Sequence, residues 1–225
     1  MRKFLATMLP AAVLIAAPAA AATPREILSV ASFQTTTKPA ALAQVNQAIA
    51  IAQAQLAANP RDREAQLQFA VATGNHAKLT KSPSEAKTTR RLFETYAAAN
   101  PRDPEGQLAV ASWHLDTIAA GFMATAVLGA KRDIGLAALD RSVQLGQGRA
   151  FFAGFAAMLR IRLDPGDVAG ARMLAEAASR GATPTVLDRL AKRDADALLI
   201  PLRNDDGKAA AALARKLLPF GRLDG

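Results

Sequence analysis

Side chains able to do chemistry are few and scattered in this sequence. It has two histidines, His76 and His114, and no cysteine. Without Cys there are no thiol nucleophiles, thiolate metal ligands or disulfides, and no lipid attached through an N-terminal Cys. A metal site or a nucleophilic triad needs several groups of the right type converging on one point. His114 follows Trp113 and lies two residues before Asp116. On a helix those neighbours project roughly 100–200° away from it and do not converge. Glu105 with Gln107, and Asp133 with Asp140, give no carboxylate pair at ligand or acid/base spacing. Gly129-Ala130-Lys131-Arg132 lacks both the spaced glycines and the Gly-Lys-Ser/Thr ending of a phosphate loop. The residues therefore predict no catalytic set, no cofactor and no metal, and the chain is not read as an enzyme.

The side chains that stand out are bulky ones, unusual in a chain with 51% hydrophobic but only 5% aromatic residues. Trp113, the single tryptophan, is either an aromatic anchor for a ligand or core. His114 is either hydrogen-bonded inside the fold or placed in a cleft. Phe151, Phe152 and Phe155, with Met158 and Leu159, either line a groove for an apolar ligand or partner helix or fill the core. His76, after Gly74-Asn75, reads as a surface or capping residue.

Ala and Leu supply most of the apolar surface, and no segment alternates with period two, so the elements carrying these residues are helices. Capping signals divide the chain. Thr23-Pro24-Arg25-Glu26 and Ser82-Pro83-Ser84-Glu85 read as capping boxes with Pro in the first turn. Asp62, Asp103 and Asp167 stand where helices begin. The pattern predicts helices near 24–33, 39–58, 63–79, 83–99, 104–121, 131–145, 149–163, 168–180, 183–200 and 208–218. Gly181 is expected as a C-cap, and Pro201 as a kink or stop. The helix after Asp103 carries apolar residues on two sides. Leu108, Ala111, Leu115 and Ile118 face one way, and Val110, Trp113 and Thr117 the other, which predicts a helix buried between neighbours. The apolar run 118–130 is too short to span a membrane and is read as core.

Residues 1–22 begin with Arg2 and Lys3, continue through an apolar run and end in small residues that fit a cleavage site at Ala20 and Ala22. Pro10 and Pro18 argue against a spanning helix. This predicts an export leader over 1–22 and one helical-repeat domain over 23–225, soluble and periplasmic, with no transmembrane segment. The net charge of +9 is spread over the chain, and Lys and Arg interleave with Asp in the C-terminal third. That reads as a solvated surface, with no nucleic-acid partner.

An internal echo bears most directly on function. Asn59-Pro60-Arg61-Asp62-Arg63-Glu64-Ala65-Gln66-Leu67 returns as Asn100-Pro101-Arg102-Asp103-Pro104-Glu105-Gly106-Gln107-Leu108, a shift of 41 residues. Periods of this size mark arrays of supersecondary units. With small residues ten positions after each proline, at Ala70 and Ala111, the junctions resemble tetratricopeptide-like repeats. Gln66 and Gln107 depart from that pattern, since a large residue is usual there. Trp113-His114 followed by Leu128-Gly129-Ala130 and a helix also resembles exported bacterial repeat proteins with little assigned function. The resemblance covers roughly 38–180. It implies an all-α fold of antiparallel helix pairs stacked as a short array, and a module that presents a concave face to another envelope protein. The alternative from the residues is a small apolar ligand held between the Trp113 helix and the helix carrying Phe151 to Leu159.

Overall fold

The computed structural model describes residues 22–223, so the expected leader lies outside the described residues apart from Ala22. Eleven helices follow in order: α1 (Pro24–Phe33), α2 (Lys38–Ala58), α3 (Arg63–Thr80), α4 (Pro83–Ala99), α5 (Pro104–Ala119), α6 (Phe122–Leu128), α7 (Arg132–Leu145), α8 (Ala150–Leu163), α9 (Val168–Arg180), α10 (Val186–Arg203) and α11 (Gly207–Leu217). The fold is all-α, as expected.

The helix starts are built largely by the residues the sequence marks. Thr23 and Glu26 form a reciprocal capping box on α1. Asp62 and Asp103 each accept a backbone N–H from the first turn of the next helix. Three starts differ from expectation. Ser82 caps α4, but the Glu85 carboxylate turns to His76 Nδ1 at 2.8 Å instead of reaching back. Asp167 makes no cap bond, because its carboxylate accepts from Arg160 Nε at 2.7 Å. The box on α10 is Thr185 with Asp188, two residues beyond the expected Thr183, and α10 runs through Pro201 to Arg203. Gly181 is the C-cap of α9, as expected, but in an extended conformation with φ −70° and not a left-handed one. A Cβ there would meet the Ala150 backbone at 2.9 Å, beside the lone bridge between Arg149 and Ala182.

Two sets of contacts order the helices. Successive helices pack on each other, α2 between α1 and α3, α4 between α3 and α5, α9 between α8 and α10, with α7 against both α5 and α8. A second set joins α1 to α3, α3 to α5, α5 to α8 and α8 to α10, which form an inner layer. Alanine makes this stacking close: Ala41, Ala48 and Ala52 on α2, Ala156 and Ala157 on α8, and Ala171, Ala175 and Ala178 on α9 are fully buried. Two apolar clusters result, one around α1–α3 and a larger one from α3 to α11, and Val71 touches both. The end of the chain returns to its beginning. Phe220 N–H donates to the Ser32 carbonyl at 2.8 Å, Phe220 and Leu223 pack on the α1–α3 cluster, and Phe33 meets Phe155 edge-on at 6.0 Å.

The two-sided burial expected of α5 is present over Leu108–Thr117, where Leu108, Val110, Ala111, Trp113, His114, Leu115 and Thr117 are buried. The reading of 118–130 as core is overturned. Helix α6 buries none of its residues, and Phe122, Met123 and Val127 are 83%, 72% and 52% exposed. The cause is local. Gly121 at φ +115° and Gly129 at φ +69° turn the chain sharply at both ends, so α6 leaves the array between α5 and α7, which pack directly on each other.

Asp188 is the most deeply placed carboxylate. It accepts from Arg149, from Thr185 N–H and Oγ1, and from Phe151 N–H, joining the starts of α8 and α10. Burial disfavours its charge, but the Arg149, Thr185 and Phe151 donors outweigh that and hold its pKa below the usual carboxylate value. A depressed folded pKa contributes stability that is present above the unfolded value and lost as pH falls through the folded one. Asp188→Asn is therefore expected to cost about 3 kcal/mol at neutral pH. The gap to wild type should close as pH falls below the ordinary carboxylate value, a trend read from urea midpoints across pH. A gap that does not change with pH would remove the charged role assigned to Asp188.

Candidate functional site

Helices α3 and α5 lie side by side and point the same way, as their ends show. At their N-termini, Arg25 of α1 pairs with Glu64 on α3 and Glu105 on α5, each at 2.7 Å. At their C-termini, Lys78 of α3 pairs with Asp116 of α5 at 3.0 Å, and Arg162 of α8 pairs with the same carboxylate. From Glu64 to Lys78 is about 21 Å along the helix axis. Between the two ionic ends lies a cavity of about 860 Å³, within the range of roughly 300–1,000 Å³ common for small-molecule sites.

Apolar side chains make up most of its wall. They come from α1 (Leu28, Phe33), α3 (Leu67, Val71), α4 (Phe93), α5 (Leu108, Trp113), α8 (Phe151, Phe155) and α10 (Leu187), with Pro219 from the returning tail. Met123 and Val127 of α6 also line it while being largely exposed, as are Lys81 and Pro83. The mouth therefore lies between α6 and the α3–α4 turn. Phe122 of α6 projects to solvent beside it.

Of the five side chains singled out by type, the fold brings three to this cavity: Trp113, Phe151 and Phe155. Phe151 and Phe155 are one helical turn apart, so they share a face of α8 and their rings meet at 4.8 Å. Phe152 points about 100° away and does not reach the cavity. It is 1% exposed and lies under the Arg149 guanidinium at 5.1 Å. His114 does not reach the cavity either. It is fully buried, and its Nδ1 accepts from Lys131 N–H at 3.0 Å, which fastens the start of α7. Burial and the nearby Arg90 charge lower its pKa, so the ring is neutral at pH 7. The ring hydrogen then sits on Nε2, which has no hydrogen-bond partner among the described residues, the Glu94 carboxylate lying 3.7 Å away.

Trp113 combines the two roles that its type allowed. It is 8% exposed, donates from Nε1 to the Ala86 carbonyl at 2.9 Å, and has the Arg90 guanidinium 5.5 Å from its ring. Its remaining surface faces the cavity.

The charged end at Asp116 escaped the sequence reading. Its members lie 38 and 46 residues apart on three helices, with no spacing to link them. The other end had a usable signal, since Glu64 and Glu105 are equivalent positions in the 41-residue echo, as are the cavity-lining Leu67 and Leu108. Burial disfavours the Asp116 charge, but Lys78 and Arg162 outweigh it and hold its pKa below the usual value. Among the described residues, no three His, Asp or Glu side chains gather as a metal site, and no helix is long and apolar enough to cross a membrane.

The sequence matches no family model, and neither curated proteins nor solved structures give a match.

Replacing Trp113 by alanine removes both a wall of the cavity and a link to α4. Trp113→Ala is expected to lower stability by about 3 kcal/mol, the low end for a buried Trp because part of the ring already borders the cavity. A loss below about 1 kcal/mol in urea unfolding would contradict the packing described.

Proposed function

We propose that this protein is an exported, periplasmic binding protein of tetratricopeptide-like build that holds an apolar molecule in the cavity between α3, α5 and α8. One observation carries the reading: a cavity of about 860 Å³ lined by Trp113, Phe151 and Phe155 and by aliphatic side chains of α1, α3, α5, α6 and α10. Protein interiors are normally close-packed, and an apolar cavity of this size favours a ligand of matching chemistry. The export leader read at 1–22 and the 41-residue echo support the location and the build. The reading includes no catalysis and no cofactor.

Native mass spectrometry of the protein purified from its own cells tests this. The expected result is a retained adduct of one chemical class, lost on washing with a mild apolar extractant. Ala109 lines the cavity and is only partly buried, so Ala109→Trp should fill the space while the fold survives. The variant is expected to carry no adduct while keeping its helical circular dichroism. An adduct held equally by wild type and by Ala109→Trp would place the site elsewhere.

The exposed apolar face of α6 favours a second reading, an adaptor that docks another envelope protein through Phe122, Met123 and Val127. Crosslinking in the envelope separates the two. A single protein joined through α6, with no small-molecule adduct, selects the adaptor.

A further inference from the structure

We propose that the cavity takes an amphiphile with one anionic head, a long-chain carboxylate being the simplest, seated with its head at Lys78 and Arg162 and its tail toward Arg25. The inference rests on the ligand-binding reading above and specifies its chemistry.

The argument is one of charge balance. At the Arg25 end, one cation faces two carboxylates, Glu64 and Glu105, and no positive charge is left over. At the opposite end the balance is reversed. Lys78 and Arg162 share the single carboxylate of Asp116, and Lys81, also in the wall, makes no ion pair among the described residues. Two cations on one carboxylate leave one positive charge uncompensated before Lys81 is counted. The side chains of Arg162 and Asp116 are 16% and 26% exposed and that of Lys78 is 40% exposed, so water offsets only part of that charge. A second carboxylate would balance it.

Hydrogen bonding points the same way. Arg162 gives Nη1 to Asp116, and the Lys78 ammonium, which has three hydrogens to donate, gives one bond to the same carboxylate, so donors remain at this end for a second acceptor. A guanidinium and an ammonium side by side suit a carboxylate, which offers acceptor positions on two oxygens. The cationic end also lies where the mouth opens, next to Lys81 and Met123, and the apolar wall runs inward from it. An amphiphile entering tail first would leave its head at this end.

The test compares ligands with one tail and three heads by isothermal titration of the purified protein, below the aggregation concentration of each: dodecanoate, dodecan-1-ol and dodecylammonium. Dodecanoate is expected to bind roughly tenfold or more tightly than the alcohol, the value of a charge-assisted hydrogen bond, and the ammonium more weakly than either. Lys78 is 40% exposed, and retained helical circular dichroism of its variant separates loss of binding from loss of fold. Lys78→Gln should bring dodecanoate toward the alcohol and leave the alcohol unchanged. Asp116→Asn should tighten dodecanoate, because it removes the carboxylate that competes for Arg162. Equal affinity for carboxylate and alcohol, or tighter binding of the ammonium, overturns the head-group assignment while the apolar cavity stands. Binding of none of the three overturns the ligand-binding reading and the head group with it.

Discussion

The structure depends on how α3 and α5 are held apart. Both belong to the inner layer and run in the same direction, yet they scarcely touch along their length. Helix α4 packs on both, and ionic groups bridge their two ends: Arg25 with Glu64 and Glu105 at one, Lys78 and Arg162 with Asp116 at the other. Pairs this accessible add modestly to stability, so their main effect is on geometry. Part of the burial that stabilises the fold is in the cavity wall itself, through Phe93, Leu108, Trp113, Phe151 and Phe155, and much of the rest is in the alanine-lined contacts of α2 with α1 and α3 and of α8 with α9 and α10. The array can therefore leave an apolar space open between its inner-layer helices, because α4 and the alanine-lined contacts carry packing outside it.

The chain's return closes one side of the space, with Pro219 in its wall. With Phe220 bonded to Ser32 and Phe33 against Phe155, the first helix is joined both to the tail and to α8. The inner face of the array is thereby turned on itself and becomes the wall of a cavity. Only α6 stands clear. It is tied at its C-terminal glycine by Arg90, which donates to the Gly129 carbonyl at 3.1 Å, and just beyond by His114 on Lys131 N–H. The residues that orient Trp113 thus also set the edge of the mouth.

Much of the helical framework was legible because it is encoded locally. A capping Asp, Ser or Thr and a Pro in the first turn act within four residues, and the predicted helices near 24–33, 83–99 and 104–121 begin where those signals put them. The deviations arise where a cap residue had a stronger distant partner, as with Glu85 and His76 or Asp167 and Arg160, which local reasoning does not see. Helix α6 was misread because its composition is that of a core, while its exposure follows from the left-handed turns at Gly121 and Gly129. The cavity wall was partly readable. Trp113, Phe151 and Phe155 stood out by size, and the one-turn spacing of Phe151 and Phe155 would have separated them from Phe152. The charges at Asp116 were not readable, since α3, α5 and α8 meet there through tertiary packing alone.

Trp113 is the only tryptophan, so its fluorescence reports on the cavity without labelling. The most direct measurement is a titration with a fatty acyl chain brominated along its tail, since bromine quenches indole emission on near contact. The account predicts saturable quenching with one chain per protein, abolished by Ala109→Trp when the added indole is corrected for. Quenching that stays linear with no plateau, or none at all, would show that Trp113 does not border a ligand site.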